Sequence, residues 1–441
     1  MTQTEEVRRV LDRIESENVR FIRLQFTDLA GMSKNIQIPA SQAEKALTEG
    51  IGFDGSSVLG FARIEESDMV LKPDLSTYNT LPWQNRHQEA RFICDVYQNG
   101  VPFEGDPRYI LKKAVARAAA LGYEFNTGPE LEFFLFDIKN GKATTDLLDN
   151  GGYFDLAPTD LNENIRRDIV LALSDMDFDI EAAHHEVAPS QHEIDFKYAD
   201  ALSTADAVIT FRFVAKTIAL QHHKHCSFMA KPVGGINGSG MHVNCSLFKD
   251  GHNVFHDPSA DLELSDVAQH FIAGVLEHVP AITRLANPTI NSYKRLVPGY
   301  EAPVYIAWST SNRTALVRVP APRGQSTRIE LRSPDPTANP YLAFAAILDA
   351  GMDGVESRLT PPPQLVGNIF SLTPSERRKA GVANLPGSLS EANTALLRSD
   401  LVCRTLGDHV VDHLTRLCDI DSDKYNTTVH QWEIERYLDK Y

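Results

Sequence analysis

The chain has 441 residues, of which 42% are hydrophobic and 23% are charged, and its formal net charge is -16. This length allows two or three domains of roughly 150 residues each, and the composition excludes a disordered chain. A strongly acidic surface repels phosphate backbones and anionic lipids, so neither nucleic acid nor a membrane is expected as a partner.

The N-terminal part is predicted to form a small α+β domain. A charged amphipathic helix opens it, and the strands FIRLQFTDLAG and NIQIP follow with a hairpin turn at Ala30-Gly31. A helix is expected over 41–47, and ARFICDVY is predicted to be a further strand. Turn-forming residues then cluster in NGVPFEGDPR, where Asp106-Pro107 can cap the next helix. We therefore predict one domain over 1–105 and a second over 106–441.

The second part alternates long helices with pairs of short strands, which indicates an α+β domain with a mainly antiparallel sheet. Strands are predicted at PELEFFLF, at GSGMHVNCSLF and at EAAHHEVAPSQHEIDFKY, the last as a hairpin that turns at 188–190. Asn339-Pro340 is a typical start for the apolar helix that follows it. The segment HQWEIERYLDKY is short and amphipathic, so it is predicted to dock either on its own core or on a neighbouring subunit.

Carboxylates are placed together by this strand pattern. Side chains two residues apart share one face of a strand, so Glu130 and Glu132 point the same way. The predicted hairpin can bring Glu186 and Glu193 close to each other. A solvated strand face is the alternative interpretation of Glu130 and Glu132 taken alone, but four converging carboxylates favour a site.

Two further strands have one polar and one apolar face. The polar faces carry His242, Asn244 and Ser246 on one strand and Arg328, Glu330 and Arg332 on the other. A structural histidine and an ordinary ion-pair ladder are the alternatives for each face alone. Together the strands gather like charges, which are costly to bury unless cations neutralise them. Oxygen ligands with one imidazole suit Mg²⁺ or Mn²⁺, and two such ions can hold the phosphates of ATP.

Arginines are concentrated in one stretch of this acidic chain, and guanidinium groups match the geometry of phosphate and carboxylate. They are Arg295, Arg313, Arg318, Arg328 and Arg332. Surface solubility is the alternative interpretation of any one of them. The glycine-rich GGINGSGMH does not end in the Lys-Ser/Thr of a Walker A loop, and no Gly-x-Ser-x-Gly elbow is present. Neither a P-loop nor covalent catalysis is therefore indicated.

The five cysteines form no Cys-x-x-Cys pair and are odd in number, so neither a disulfide framework nor a zinc site is indicated. A reducing compartment fits them best. The first twenty residues lack the apolar core of a secretion signal, and no apolar run reaches the length of a membrane span. We therefore expect a cytoplasmic protein.

Six segments follow one another along almost the whole chain. They are FDGSSVLGFARIEESDM, GPELEFFLF, HHEVAPSQHEIDF, KPVGGINGSGMHVNCSL, NSYKRLVPGYEAP and NRTALVRVPAPRGQSTRIELRSPDPTANPYLA. In this order and combination they resemble the signatures of type I glutamine synthetases, and together they are far more specific than any one motif. The resemblance implies a small β-grasp domain followed by a catalytic domain whose strands form a funnel lined by carboxylates.

The resemblance also implies the roles of individual residues. One metal ion near the substrate glutamate would be held by Glu132, Glu186 and Glu193, and another on the ATP phosphates by Glu130, His242 and Glu330. Glutamate would lie against Asn237, Gly238, Arg295, Glu301, Arg313 and Arg332. ATP would contact Glu181, Phe196, Lys197, Tyr198, Asn244, Cys245, Ser246, Arg313, Arg318 and Arg328. The expected cofactor is Mg²⁺ or Mn²⁺, two or more ions per subunit.

The activity that the resemblance implies is the ATP-dependent synthesis of L-glutamine from L-glutamate and ammonia through γ-glutamyl phosphate, a reaction of nitrogen assimilation. Asp54 would attract ammonium and help to deprotonate it, Glu301 would close the site and accept a proton, and Arg313 would contact phosphate. A ligase of the same fold that attaches glutamate to a polyamine or another amine is the alternative activity. A catalytically silent relative is a third hypothesis, although such relatives usually lose metal ligands and all six are present here.

The resemblance finally implies an assembly and a mode of control. The family forms two hexameric rings, in which the loop with Asp54 reaches the funnel of a neighbouring subunit; nitrogen-regulatory proteins are candidate partners. Relatives controlled by adenylylation carry a tyrosine before an Asp-Leu-Pro loop, whereas GVANLPG has Ala383 there. Arg63 matches a residue tied to glutamine feedback in the subgroup without adenylylation. We therefore expect direct inhibition by glutamine.

Overall fold

The computed structural model describes residues 2–61, 68–83, 87–300, 302–367, 372–379 and 381–441. Two residues with predicted roles, Arg63 and Glu301, lie outside these ranges. Within them, no helix combines the length and the apolar composition that a membrane crossing needs. All five cysteines are free, as predicted.

The N-terminal domain is built on a seven-stranded sheet. Its strands are β1 (Val19–Thr27), β2 (Ser33–Pro39), β3 (Ile51–Asp54), β4 (Asp68–Pro73), β5 (Asn79–Thr80), β6 (Gln88–Gln98) and β7 (Val101–Pro102). The main strand order is β2-β1-β6-β4-β3, and β1 and β6 run parallel while the other pairs are antiparallel. The predicted hairpin turn holds Gly31 at a φ of 78°, a conformation that favours glycine. Strands β3 and β4 were not predicted, because they are short and flank a polar stretch without alternation.

In the described part of this domain, the α-helices are α1 (Gln3–Ser16) and α2 (Ala43–Thr48). Helix α1 begins with a capping box, in which the side chains of Thr2 and Glu5 each accept the backbone N–H of the other residue. Its apolar stripe, Val7, Val10 and Ile14, is buried in a core shared with the sheet.

The second domain is built on an eleven-stranded sheet centred on one long strand. Its strands are β8 (Glu124–Lys139), β9 (Lys142–Leu147), β10 (Ile180–His185), β11 (Gln191–Phe196), β12 (Ala199–Asp200), β13 (Lys224–Ser227), β14 (Met241–Lys249), β15 (His252–Asn253), β16 (Trp308–Ser309), β17 (Val317–Arg318) and β18 (Ile329–Leu331). The main order is β10-β11-β8-β14-β18-β17-β16, and among the strands that the structure describes here only β16 and β17 pair in parallel. The predicted mainly antiparallel sheet is therefore confirmed.

Helices precede, separate and follow these strands, and most of them bury residues in the apolar core of the domain. They are α3 (Pro107–Ala120), α4 (Glu163–Ser174), α5 (Ala201–Gln221), α6 (Asp266–Ala286), α7 (Ser292–Arg295), α8 (Pro340–Ser357), α9 (Pro374–Lys379), α10 (Leu389–Leu397), α11 (Asp400–Leu406), α12 (Asp408–Thr427) and α13 (Gln431–Tyr437). The side chain of Asn339 caps α8 by accepting the N–H of Tyr341. Helices α6 and α8 touch at glycines: a Cβ on Gly274 would lie 2.1 Å from the carbonyl oxygen of Ala350. None of the residues of α13 is buried, so in this chain the terminal segment does not dock on its own core.

A buried arginine near the start of α3 links the two domains. The guanidinium of Arg108 donates two hydrogen bonds to Asp206 on α5, one to Asp95 on β6 and one to Asp74, all at 2.7 to 3.0 Å. The hydroxyl of Tyr341 also donates to Asp206, at 2.6 Å. The Arg108 side chain is 3% exposed, so its carboxylate partners neutralise a charge that water does not reach.

Replacement of Arg108 by methionine is expected to lower the free energy of unfolding by about 3–5 kcal/mol, because it leaves the largely buried carboxylate of Asp206 without its hydrogen-bonded cation. Chemical denaturation monitored by circular dichroism measures this loss. Lys113→Met is the matched control, since Lys113 lies on the same helix and its ion pair with Glu104 is at the surface. Equal denaturation midpoints for the two variants would contradict the expectation.

Candidate active site

The polar faces of neighbouring strands meet on one side of the second sheet. Glu130 on β8 lies opposite His242 on β14, and Glu132 lies opposite Glu193 on β11. Glu330 on β18 stands one strand further along, beyond β14. Directly opposed residues in a sheet have Cβ atoms about 4.5–5.5 Å apart. Strand register therefore places five of the six predicted metal ligands side by side, and the sixth, Glu186, follows directly after β10.

The opposite faces of the same strands hold this arrangement in place. Leu131 and Phe133 on β8 and Met241 and Val243 on β14 are all fully buried in the main apolar core. A slip of one residue in register would move each of these side chains to the polar side. The predicted alternation of faces is therefore confirmed, and the solvated-face interpretation of Glu132 is wrong, since Glu132 is buried.

The first carboxylate cluster consists of Glu130, His242 and Glu330. Each residue offers one ligand atom, and these atoms all lie within 4.8 Å of one another. His242 Nδ1 lies 3.2 Å from Glu130 Oε2 and 3.8 Å from Glu330 Oε1. Burial opposes ionisation of Glu130, but the hydrogen bonds from His242 and Asn244 and the charge of Arg332 together outweigh it and lower the pKa of Glu130 to about 2. Burial and the charge of Arg332 lower the pKa of His242, which favours the neutral imidazole that binds metal ions.

The second carboxylate cluster consists of Glu132, Glu186 and Glu193. Burial and the charge of Glu186 raise the pKa of Glu132 to about 8, and burial and the charge of Glu132 raise the pKa of Glu193 well above its usual range. These carboxylates therefore repel one another in the absence of a cation. His242 Nε2 lies 4.0 Å from Glu132 Oε1, so the two clusters adjoin.

Sequence reasoning missed two residues at the second cluster. His184 lies 3.3 Å from Glu193 through Nε2 and 3.7 Å from Glu186 through Nδ1. Asp195 groups with His184 and Glu193, and burial together with the charge of Glu130 raises its pKa to about 7. Both residues stand two positions from a predicted ligand, so the same two-residue periodicity could have found them.

The residues predicted to bind glutamate lie beside the second cluster. Arg295 is 3% exposed, donates to the carbonyl oxygen of Ser333 at 2.7 Å and acts electrostatically on Glu132. A Cβ on Gly238 would lie 2.3 Å from the Ala230 carbonyl oxygen, so only glycine fits there. Asn237 precedes Gly238 in the same loop.

Two of the predicted arginines contact the first cluster on the same face of the sheet, where Arg318 on β17 lies directly opposite Glu330 on β18. Arg318 and Arg332 both donate to the carboxylate of Glu330, which is completely buried. Arg313 is exposed and hydrogen-bonds to Tyr153. Burial and the charges of the second cluster raise the pKa of Tyr153. The arginines thus surround the carboxylates that sequence analysis grouped with them.

A cavity of about 350 Å³ adjoins the first cluster. Seven residues predicted to contact ATP line it: Glu181, Phe196, Tyr198, Asn244, Cys245, Ser246 and Arg328. Asn244 joins the cavity to the cluster, since its amide donates to Glu130 at 2.9 Å and its carbonyl accepts from Arg328 at 3.0 Å. Lys197 does not line the cavity and pairs with Asp179 at 3.2 Å instead.

Asp54 stands apart from these groups. It ends β3 in the N-terminal sheet, whereas both clusters stand on the second sheet. Its side chain is exposed and accepts the backbone N–H of Ser56 at 2.8 Å. The structure of one chain therefore keeps Asp54 on a different sheet from the carboxylates that it is predicted to assist.

The donor set of the two clusters fits divalent cations. It contains five carboxylates and one neutral imidazole, held in a site where the carboxylates raise one another's pKa values. Oxygen ligands in this number suit Mg²⁺ or Mn²⁺, whereas a structural zinc site would need thiolates or more imidazoles. The residues present can thus hold the ions that the family uses.

Comparisons with known proteins agree with this site. Residues 104–437 match the family described as glutamine synthetase, catalytic domain, and residues 18–99 match its beta-Grasp domain. Glutamine synthetases of Clostridium saccharobutylicum and Thermus thermophilus are each 55% identical to this chain, over 435 and 439 residues, and 98% of both chains is covered in each case. A solved GmaS/ADP complex superimposes with a TM-score of 0.90 at 31% identity, covering 98% of this chain and 99% of the other. The chain belongs to the glutamine synthetase family.

Proposed function

We propose that the chain is a ligase that forms L-glutamine from L-glutamate and ammonia while ATP becomes ADP and phosphate, as a step of nitrogen assimilation. The observation that carries this function is that two adjoining carboxylate clusters lie beside a cavity and a group of arginines. Relatives named glutamine synthetase at 55% identity over nearly the whole chain support it. The domain limits remain a proposal, 1–105 for the β-grasp domain and 106–441 for the catalytic domain.

Each carboxylate cluster would hold one Mg²⁺ or Mn²⁺. Burial and mutual repulsion raise the pKa values of Glu132 and Glu193, and a bound cation would offset both effects, which supports this assignment. When bound, the ions stabilise negative charge on the phosphoryl group during its transfer. The identity of the metal and the number of ions are part of the proposal.

The chain's own residues bind and orient the substrates. The cavity seats the nucleotide, and Arg313 and Arg318 contact its phosphates. Arg295 and Arg332 hold glutamate, together with the loop that carries Asn237 and Gly238. The side-chain carboxylate of glutamate then attacks the γ-phosphorus and ADP leaves, because a free carboxylate is too poor an electrophile to react with ammonia directly.

The second step needs ammonia in its neutral form. Asp54 attracts ammonium and helps to deprotonate it, and Glu301 covers the site and accepts a proton. Ammonia attacks the carbonyl carbon of γ-glutamyl phosphate, and phosphate leaves. Since Asp54 stands on the N-terminal sheet, we assign it to the site of a neighbouring subunit within an assembly of two hexameric rings, located in the cytoplasm.

The chain is assigned to the type I subgroup that lacks adenylylation and responds to glutamine directly. Ala383 stands where adenylylated relatives carry the modified tyrosine. Arg63, in the segment GFARIEESD, is assigned to glutamine feedback.

Arg63→Ala is expected to weaken inhibition by glutamine about tenfold or more, because a hydrogen bond to a charged group contributes about 1.5–3 kcal/mol. The glutamine concentration that halves the initial rate measures this change. Arg63→Lys keeps the charge and serves as the control. An unchanged inhibition curve for Arg63→Ala would remove Arg63 from the feedback site.

Phosphate release with ATP, Mg²⁺ and glutamate tests the proposed function directly. The assay compares ammonium, a polyamine and no added amine, and the product is identified by mass. Release that requires ammonium and yields glutamine supports the proposal. A preference for the polyamine would assign the chain to amine ligation, and release with no amine dependence would contradict both activities.

A further inference from the structure

A buried carboxylate lies behind the hairpin that carries two of the proposed metal ligands. Strands β10 and β11 pair antiparallel, with Glu186 directly after β10 and Glu193 within β11. The turn between them is closed by a hydrogen bond from the N–H of Glu186 to the carbonyl oxygen of Gln191, at 2.8 Å. Ser190 in this turn has a φ of 62°, a conformation that residues with a side chain seldom adopt. Something must therefore hold the turn in this shape.

Asp149, in the loop after β9, is in position to do so. Its side chain is completely buried, and its Oδ1 accepts the N–H of Ser190 at 2.7 Å and that of Gly151 at 3.2 Å. The amide of Asn162 donates to Oδ2 at 3.1 Å. In return, the hydroxyl oxygen of Ser190 accepts the N–H of Leu148 at 2.6 Å. The loop and the turn thus hold each other through bonds in both directions.

Asp149 also reaches Glu186 through a histidine. His185 is completely buried, and its Nε2 lies 3.2 Å from Asp149 Oδ1 while its Nδ1 donates to the carbonyl oxygen of Glu186 at 2.7 Å. A Cβ on Gly151 would lie 2.5 Å from His185 Nε2, so only glycine allows this approach. The chain Asp149, His185, Glu186 therefore fixes the backbone from which the Glu186 carboxylate extends.

The same turn orients the third carboxylate of the second cluster. Gln191 directly follows Ser190, and its amide donates to Glu132 Oε2 at 2.9 Å. The carbonyl oxygen of the Gln191 side chain accepts the N–H of Ala188 at 3.2 Å, which ties the side chain back to the turn. A displacement of the turn would thus move Glu132, Glu186 and Glu193 together.

Metal binding is not the function of the buried group that surrounds Asp149. Asp149, Asp160 and His192 do offer ligand atoms within 4.8 Å of one another. The guanidinium of Arg166, however, donates to Asp160 at 2.6 Å and lies 2.8 Å from His192 Nδ1. A fixed cation already stands between these two side chains, so the group is a bracing network and not a binding site.

We propose that Asp149 is a positioning residue that sets the geometry of Glu132, Glu186 and Glu193 by pinning the turn at Ser190 and, through His185, the backbone of Glu186. This role rests on the proposed function, in which these three carboxylates hold one divalent cation. Groups that orient metal ligands typically cost 10- to 100-fold in metal affinity or activity when they are removed. Asp149 would act through the ligands and touch neither metal nor substrate.

Mn²⁺ binding to the assembled full-length chain, followed through the electron paramagnetic resonance of the free ion, tests this role. In Asp149→Asn, an NH₂ group replaces one of the two oxygens that accept hydrogen bonds, so it faces a donor and that bond is lost. We therefore expect about 10- to 100-fold weaker binding of Mn²⁺ at the second cluster. The Mg²⁺ concentration for half-maximal activity rises with it, whereas the KM for ATP at saturating Mg²⁺ stays unchanged. A general loss of structure would change both values.

Two further variants make the result decisive. Asp146→Asn is the matched control, because Asp146 lies on β9, is exposed and pairs with Lys139 at 2.6 Å; it should bind Mn²⁺ like the parent. Ser190→Gly tolerates the positive φ and removes the whole hydroxymethyl side chain, including the oxygen that accepts the N–H of Leu148. It therefore tests the turn if Asp149→Asn does not fold, and it should weaken Mn²⁺ binding as well.

Glu193→Gln separates the two levels of the proposal. If Glu193→Gln loses an ion that Asp149→Asn or Ser190→Gly retains with parental affinity, the role of Asp149 is overturned and the proposed function stands. If Glu193→Gln itself binds Mn²⁺ like the parent, the metal assignment in the proposed function fails.

Discussion

Glutamine formation is expected to fall by about 100- to 1000-fold or more when Glu330 is replaced by glutamine, the cost typical of removing one preorganised electrostatic group. Glu330 belongs to the first carboxylate cluster, where its Oε1 lies 3.8 Å from His242. The substitution also removes the shared carboxylate of Arg318 and Arg332. Two guanidinium groups would then face each other in a buried site without an anion between them. We therefore expect a loss of stability of about 3–5 kcal/mol together with the loss of activity.

Two measurements on the same preparation separate these effects. Calorimetry or denaturant titration gives the change in stability, and the amine-dependent assay gives the change in rate at a temperature where the variant is folded. Glu124→Gln is the matched control, because Glu124 begins β8, the strand that carries Glu130 and Glu132, and is exposed. Glutamine formation by Glu330→Gln at the parental rate would show that Glu330 is not part of the active site.

Asp54→Ala is expected to lower ammonium-dependent turnover by about 100-fold or more, within the range for removal of a general base. Binding of ATP and of metal should be unchanged, because Asp54 is neither one of the proposed metal ligands nor one of the residues that line the cavity. The phosphate assay and a nucleotide-binding titration report on the two properties separately. Raised ammonium should recover part of the rate if attraction of the cation is the main contribution.

Asp68→Ala provides a closely matched control. Asp68 lies directly opposite Asp54, across β3 and β4, and is also exposed. Loss of one carboxylate from the same edge should leave turnover unchanged. Glutamine formation by Asp54→Ala at the rate of Asp68→Ala would refute the proposed role. Mixed assemblies of Asp54→Ala and Glu330→Gln subunits should regain activity if the two residues act across an interface.

The part of the site that lies on regular strands could be predicted from strand periodicity. Alternation in β8 and β14 placed Glu130, Glu132 and His242 on one face, and the structure puts Leu131 and Met241 on the buried face. A local capping signal was equally reliable. Asp106 was predicted to cap the helix that begins after Gly105, and its side chain accepts the N–H of Arg108 at 3.0 Å. These signals depend only on neighbours along the chain, which is why the sequence alone reveals them.

Contacts between distant loops could not be predicted in this way. Asp149 and Ser190 lie in turns without periodicity, and nothing in either segment indicates that the two meet. The short strands β3 and β4 were missed for a similar reason, because a polar stretch separates them and their pairing is not local. His184 and Asp195 each lie two residues from a predicted ligand, so the periodicity that placed Glu130 and Glu132 on one face also indicates them.

Helix α8 has a consequence for how this protein can change over evolutionary time. It is wedged against α6 at Gly274 and Gly354, where a single added methyl group would collide with backbone, and the amide of Asn339 at its start donates to the carbonyl oxygen of Asp28 in the N-terminal domain at 3.2 Å. The segment that leads into it follows β18 and Glu330. One helix thus packs tightly against α6 in the second domain and is bonded to the N-terminal domain at its start. Any substitution that tilted α8 within the second domain would therefore also disturb the contact between the two domains.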